Sequence, residues 1–378
     1  MRIKLGVLAL VAALTLCGCE KDNTPVPNAL TKYPFSVQPK ILWKTHASSG
    51  SGQGTTLGLF EMEHQLVTVG HEGSVALIDK ASGHVLWKTN IHHEISARAV
   101  ADNGRIFVPT RDGWVIALNV SDGKPLWSQT LSSLSLAGVS VKSGLLVVNE
   151  HNGNVSALDV TSGLKLWMYM GTTPPLELQG SSEPVENASM AYVGSNQGQV
   201  FAFDLQSGVV KWNRPIAIPN GSTMILRMID INSTPILGET ALYAVAYHGN
   251  LVSLNPFSGN ILWERPFSAY QSLAADLSKN AVFLTDEKSD VFKIDSTQGA
   301  TLWKQNALEY RNLSAPTVFG DHLLLGDYQG YLHSLSISNG QLEGRIHVES
   351  SAILAQGVSD QHAAYFVTRS GEVIAITL

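Results

Sequence analysis

Cysteine is almost absent from this chain. Its 378 residues include two, Cys17 and Cys19, both near the start. That excludes a disulfide-stapled framework, so the fold is held by burial. Long apolar runs are missing too, apart from Leu5 to Leu16, which is too short to span a bilayer as a stable helix. Preceded by Arg2 and Lys4, it reads as the core of a signal peptide. Basic clusters are lacking: 25 Lys and Arg face 31 Asp and Glu, and no basic stripe is present. Nucleic acid is therefore not an expected partner, since phosphate binding needs clustered Lys and Arg. The twelve histidines are scattered. His71, His151 and His248 each stand just before a repeated Gly, which marks a turn. The His92-His93 pair has no further ligands at metal spacing, so no metal site is expected. Gly50-Ser-Gly-Gln-Gly54 lacks the Lys and following helical pattern of a phosphate cradle. No nucleophile stands beside a base in a catalytic pattern.

A phrase recurs instead: Gly, a short apolar strand, Asp or Asn, Gly, then Trp. Clear copies are Gly73…Asp79…Gly83…Trp87, Gly113…Asn119…Gly123…Trp127, Gly153…Asp159…Gly163…Trp167, Gly198…Asp204…Gly208…Trp212 and Gly249…Asn255…Gly259…Trp263. A sixth, Ser289…Asp295…Gly299…Trp303, lacks the first Gly, and a seventh, Gly330…Ser336…Gly340…Gly344, lacks the Trp. An eighth opens at Gly371 and stops at Leu378, while Trp43 stands alone near the start. Self-similarity at this period with strand chemistry in each unit predicts an all-β chain, a β-propeller. Arg105–Pro109 and Trp114–Leu118 read as strands around a turn, with Ala99-Val100 upstream and Pro125-Leu126-Trp127 downstream. Each unit is thus a blade of four antiparallel strands. If Ile41-Leu42-Trp43 completes the C-terminal unit, the ring closes with eight blades. A seven-bladed ring would leave the C-terminal unit as decoration.

Successive repeat tryptophans, starting from Trp43, are 44, 40, 40, 45, 51 and 40 residues apart. The two long intervals place insertions between Trp167 and Trp212 and between Trp212 and Trp263. Both follow the outer strand of one blade and precede the inner strand of the next, so both project from one face, side by side. Residues 172–180 read Thr-Thr-Pro-Pro-Leu-Glu-Leu-Gln-Gly, and 224–232 read Met-Ile-Leu-Arg-Met-Ile-Asp-Ile-Asn. Leu176, Leu178, Met224, Leu226 and Met228 either fold back over the core or form an apolar patch that something covers.

Three resemblances follow from these residues. Ala-x-Asp-x-x-x-Gly-x-x-x-Trp resembles the docking motif of pyrroloquinoline-quinone-type propellers. It implies that Trp43, Trp87, Trp127, Trp167, Trp212, Trp263 and Trp303 stack on a Gly of the next blade, with each indole N–H on a carbonyl there. Leu16-Cys17-Gly18-Cys19 resembles a bacterial lipobox, implying a signal peptide over 1–18 and lipidation at Cys19. Residues 19–40, with Pro25, Pro27, Pro34 and Pro39, would then be an extended tether, and 41–378 the propeller. Cleavage would leave 23 basic residues against 31 acidic, a formal charge of −8. In enterobacterial-type lipoproteins, Glu20 after the cysteine favours the outer membrane.

As a whole the chain resembles the BamB family, lipoprotein subunits of the bacterial outer-membrane β-barrel assembly machinery. In that family a Leu-x-Leu-Arg-Gly stretch and an Asp-x-Asp-x-Thr-Pro stretch contact BamA. The matching residues are Leu176, Leu178 and Gln179, and Asp230 and Asn232. Gln179 stands where Arg is usual and Asn232 replaces the second Asp; both can hydrogen-bond but carry no charge, so the departure bears on the ionic part of the implied contact and not on the apolar part. The resemblance implies a non-catalytic scaffold without cofactor, anchored to the outer membrane and facing the periplasm. Its expected partners are the periplasmic domains of BamA and nascent outer-membrane proteins. Two alternatives stay open: a quinoprotein-type dehydrogenase, and a propeller binding a small ligand or polysaccharide in its channel. The dehydrogenases typically use a vicinal disulfide, which this chain has no cysteines to form after processing.

Overall fold

The computed structural model describes residues 25–52, 55–178 and 180–378. Eight four-stranded antiparallel sheets form a propeller: blades 1–7 span Phe60–Asn90, Val100–Thr130, Ser140–Tyr169, Val185–Pro215, Ile236–Phe267, Ala274–Gln305 and Thr317–His347, and blade 8 joins Val358–Thr377 to Lys40–His46. Blade 2 shows the pattern: Val100–Asp102 innermost, then Arg105–Pro109, Trp114–Asn119 and Pro125–Thr130 outermost. Second and third strands are buried almost throughout, because each face packs on a neighbouring blade. They read as continuous apolar runs. Outer strands alternate between half-buried and exposed residues, since only one face is covered.

Between blades 2 and 3, for example, Val100, Phe107 and Val115 pack with Val139, Leu146, Val148 and Leu158. At seven of the eight seams an indole N–H bonds a carbonyl of the following blade: Trp43 to Lys80, Trp87 to Val120, Trp127 to Val160, Trp167 to Leu205, Trp212 to Pro256, Trp263 to Ser296 and Trp303 to Ile337, at 2.7–3.1 Å. The ring lies on that blade's turn glycine. A Cβ on Gly163 (φ +73°) would come within 2.6 Å of the Trp127 ring, so both backbone conformation and space demand glycine there.

The residue ten before the tryptophan is its cross-strand partner, as in Ala117↔Trp127 and Ala202↔Trp212, which explains why it is usually small. Lys293 is the long exception, and its ammonium reaches the same Ile337 carbonyl that Trp303 uses, at 3.2 Å.

Blade 8 takes three strands from the C-terminus and its outer strand, Lys40–His46, from the other end of the chain. Trp43 pairs with Ala375. Lys80 of blade 1 bonds Glu61 of its own blade at 2.7 Å and Asp360 of blade 8 at 2.8 Å, tying first to last. Residues 28–39, part of the tether expected over 19–40, lie instead against the outer strand of blade 7 and the loop 306–311 that leads into that blade.

Candidate docking site

Each blade's inner strand starts at one face of the ring, so the turns between second and third strands and all interblade loops gather on that face. The loops 172–180 and 218–235 lie there, entering blades 4 and 5. They touch. Asp230 accepts a hydrogen bond from the backbone N–H of Leu178 at 2.6 Å.

Asp230 is held by its neighbours. Ile229 and Ile231 enter the core between blades 4 and 5, against Tyr192, Ala217 and Leu242. The Asp230 carbonyl accepts from Tyr247 N–H at 2.8 Å. Ser233 bonds the Val245 carbonyl at 2.8 Å, and Ser182 bonds the Ser233 carbonyl at 3.1 Å. With its flanks buried, Asp230 is only 1 % exposed. Burial pushes its carboxyl up to about 6; the Leu178 amide opposes this and the charge of Glu177 adds to it. The carboxylate therefore lies beneath the surface of the loops. It positions the first loop.

Glu177 pins that loop a second time, 3.1 Å from His151 Nε2 and accepting from the Asn196 side chain. Between these two restraints Leu176 projects outward at 40 % exposure, while Leu178 is half-buried. In the second loop Ile225–Arg227 forms one 3-10 turn with no buried residue. Met224, Ile225 and Leu226 are exposed, Ile225 at 66 %. Ile218 is 78 % exposed and Met228 half-buried. Arg227 is the exposed cation of this ledge, and Asn232 is half-buried beside Gly180. Gln179 and Cys19 lie outside the described residues. Ile218 was not anticipated: it stands two residues after the buried Ile216, beyond the end of the outer strand Val210–Pro215.

Beside the loops, the channel mouth is a cavity of about 460 Å³ lined by Tyr270, Gln271, Gln356 and the pair Arg98–Glu183. Arg98 Nε lies 2.8 Å from Glu183, joining blades 2 and 4 across the channel wall. Deeper on this wall, Glu186 is pushed up to about 7 by burial, against a hydrogen bond from Ser140.

A family model described as "Outer membrane protein assembly factor BamB" matches residues 71–305 and 277–378. The chain belongs to the BamB family. The BamB of Pseudomonas aeruginosa is 39% identical over 376 residues, covering 99% of this chain and 98% of that protein. The Legionella pneumophila BamB is 38% identical over 379 residues, covering 98% of each. Among solved structures, BamB from Moraxella catarrhalis superposes with a TM-score of 0.81 at 24% identity, covering 90% of this chain and all of that one. A quinohemoprotein alcohol dehydrogenase from Pseudomonas putida shares the propeller fold at a TM-score of 0.73 and 12% identity, covering 91% and 77%.

Proposed function

We propose that this chain is a non-catalytic scaffold of outer-membrane protein assembly, anchored through Cys19 at the outer membrane and facing the periplasm. Its two loops dock on the periplasmic domains of BamA. One observation carries this reading: Leu176, Ile218, Met224, Ile225 and Leu226 are exposed on the ledge formed by two loops joined through Asp230. An apolar ledge on pinned loops, rimmed by polar groups, has the anatomy of a protein interface. Pinning lowers the ordering cost of binding.

Nascent outer-membrane proteins would be received on the outer strands. Each blade's sheet ends in an outer strand paired on one side only. Such edges accept extended chains by strand addition.

The test is affinity purification from solubilised outer membrane. BamA co-purifying with the chain is the expected result, and its absence under conditions that keep the propeller folded contradicts the reading. Dye reduction on addition of pyrroloquinoline quinone would contradict the non-catalytic part.

A further inference from the structure

Seven indoles serve eight seams. Blade 7 carries Gly344 where the others carry Trp, paired with Ser334. A blade 7 indole would need the turn glycine of blade 8. That turn does not exist, because blade 8 is where the ring is cut: Thr377 of its third strand pairs with Lys40 from the other end of the chain.

Residues 28–39 fill the place. A Cβ on Gly344 would meet the Val37 carbonyl at 2.7 Å and the Pro39 ring at 3.0 Å. The Tyr33 hydroxyl donates to the Gly344 carbonyl at 3.1 Å. Ser36 and Val37 N–H groups donate to the Glu343 carbonyl at 2.9 and 3.1 Å. Leu30 packs with Leu308, Leu313, Ile337 and Leu342.

The upper end of this strap is held on the face that carries the docking loops. Asn28 N–H donates to the Glu309 carbonyl at 2.9 Å, and the Asn28 carbonyl accepts from Arg311 Nη1 at 3.0 Å. Arg311 is buried, its other nitrogens 2.9 and 2.7 Å from Asp327, which also bonds His333 at 3.0 Å. Tyr310 and Asn312 on either side have left-handed backbones, φ +59° and +48°. Such conformations persist in non-glycine residues only where the surroundings impose them.

We propose that residues 28–39 are the eighth lock of the ring, and that by ending at Asn28 they fix where the chain leaves it, so that the docking face is turned toward the lipid surface. The second half rests on the anchor at Cys19. Even fully extended, the stretch from Cys19 to Asn28 cannot span more than about 30 Å.

Two arms test this. In the first, the full mature chain with Cys19→Ser carries nitroxides at Val26→Cys and Lys288→Cys, and pulsed dipolar spectroscopy reads their distance in solution. One narrow, short distance is expected, broadening in Asn28→Pro, which removes the bonds from Asn28 to the Glu309 and Asn306 carbonyls while Arg311 keeps its own side chain and its bonds to Asp327. A broad distribution in the parent overturns the lock. In the second, the acylated chain is placed in vesicles containing an acceptor-labelled headgroup, with a donor at Ser222→Cys on the loop face or Asp122→Cys on the opposite face. Stronger energy transfer from position 222, lost in Asn28→Pro, is expected; equal or reversed transfer overturns the orientation. A chain that fails to float with the vesicles overturns the anchor reading, and the spin-label distances still decide the lock.

Discussion

The carboxylate of Asp230 accepts from the backbone N–H of Leu178 at 2.6 Å, tying together two loops 52 residues apart in sequence. A side chain with this bond and almost no exposure fixes the position of the loop it holds.

The first prediction concerns pH. The carboxyl of Asp230 is raised from 3.8 to about 6, so the folded state takes up its proton more readily than the unfolded chain. Its contribution to stability is therefore greatest below about pH 4 and is lost as pH rises through 6. Asp230→Asn keeps an acceptor for Leu178 without the buried charge. Its melting midpoint near pH 7 should equal or exceed that of the parent, gaining on the order of 3 kcal/mol at most, and the slope between pH 4 and 6 should flatten. Midpoints measured across that range check this.

Asp230→Ala behaves differently. It leaves the Leu178 amide without its partner and frees the first loop, so amide exchange at Leu178 should rise and BamA capture weaken. Because the lost charge is buried, the salt dependence of the remaining binding should stay the same. Capture measured at several ionic strengths tests that point.

Arg227 is the charge the ledge does expose. Arg227→Ala should slow association with BamA and reduce its dependence on ionic strength, with little change in dissociation. Stopped-flow or surface-bound kinetics at low and high salt distinguish the two rates.

Seam residues should affect stability alone. Trp127→Ala opens a cavity and strands the Val160 carbonyl, costing about 3–5 kcal/mol. Gly163→Ala should be damaging as well, because its Cβ would fall 2.6 Å from the same ring. Both should lower the denaturation midpoint while the folded fraction still captures BamA.

The ring was legible in the sequence because its signals sit at fixed offsets within each unit. Ala117 and Trp127 are cross-strand partners, and a turn glycine such as Gly163 receives the indole, so period and spacing expose both. The insertions were legible as deviations from that period. Burial of Asp230 was not, since a loop carboxylate reads as solvated until Ile229 and Ile231 are seen entering the core on either side. Closure of the last blade by the segment around Trp43 was legible as well, and Trp43 pairs with Ala375. What Gly344 packs against was not, since nothing in the repeat shows that Val37 and Pro39 lie on it.

The most direct measurement of the docking claim is BamA capture by a variant combining Leu176→Ala, Ile225→Ala and Leu226→Ala, with its melting midpoint recorded on the same sample. These side chains are exposed, so truncation leaves the core intact, and a few apolar residues at an interface centre each contribute about 2 kcal/mol or more. The predicted result is capture reduced at least tenfold, about 1.4 kcal/mol, at an unchanged midpoint. Undiminished capture, or capture lost only in proportion to unfolding, would contradict it.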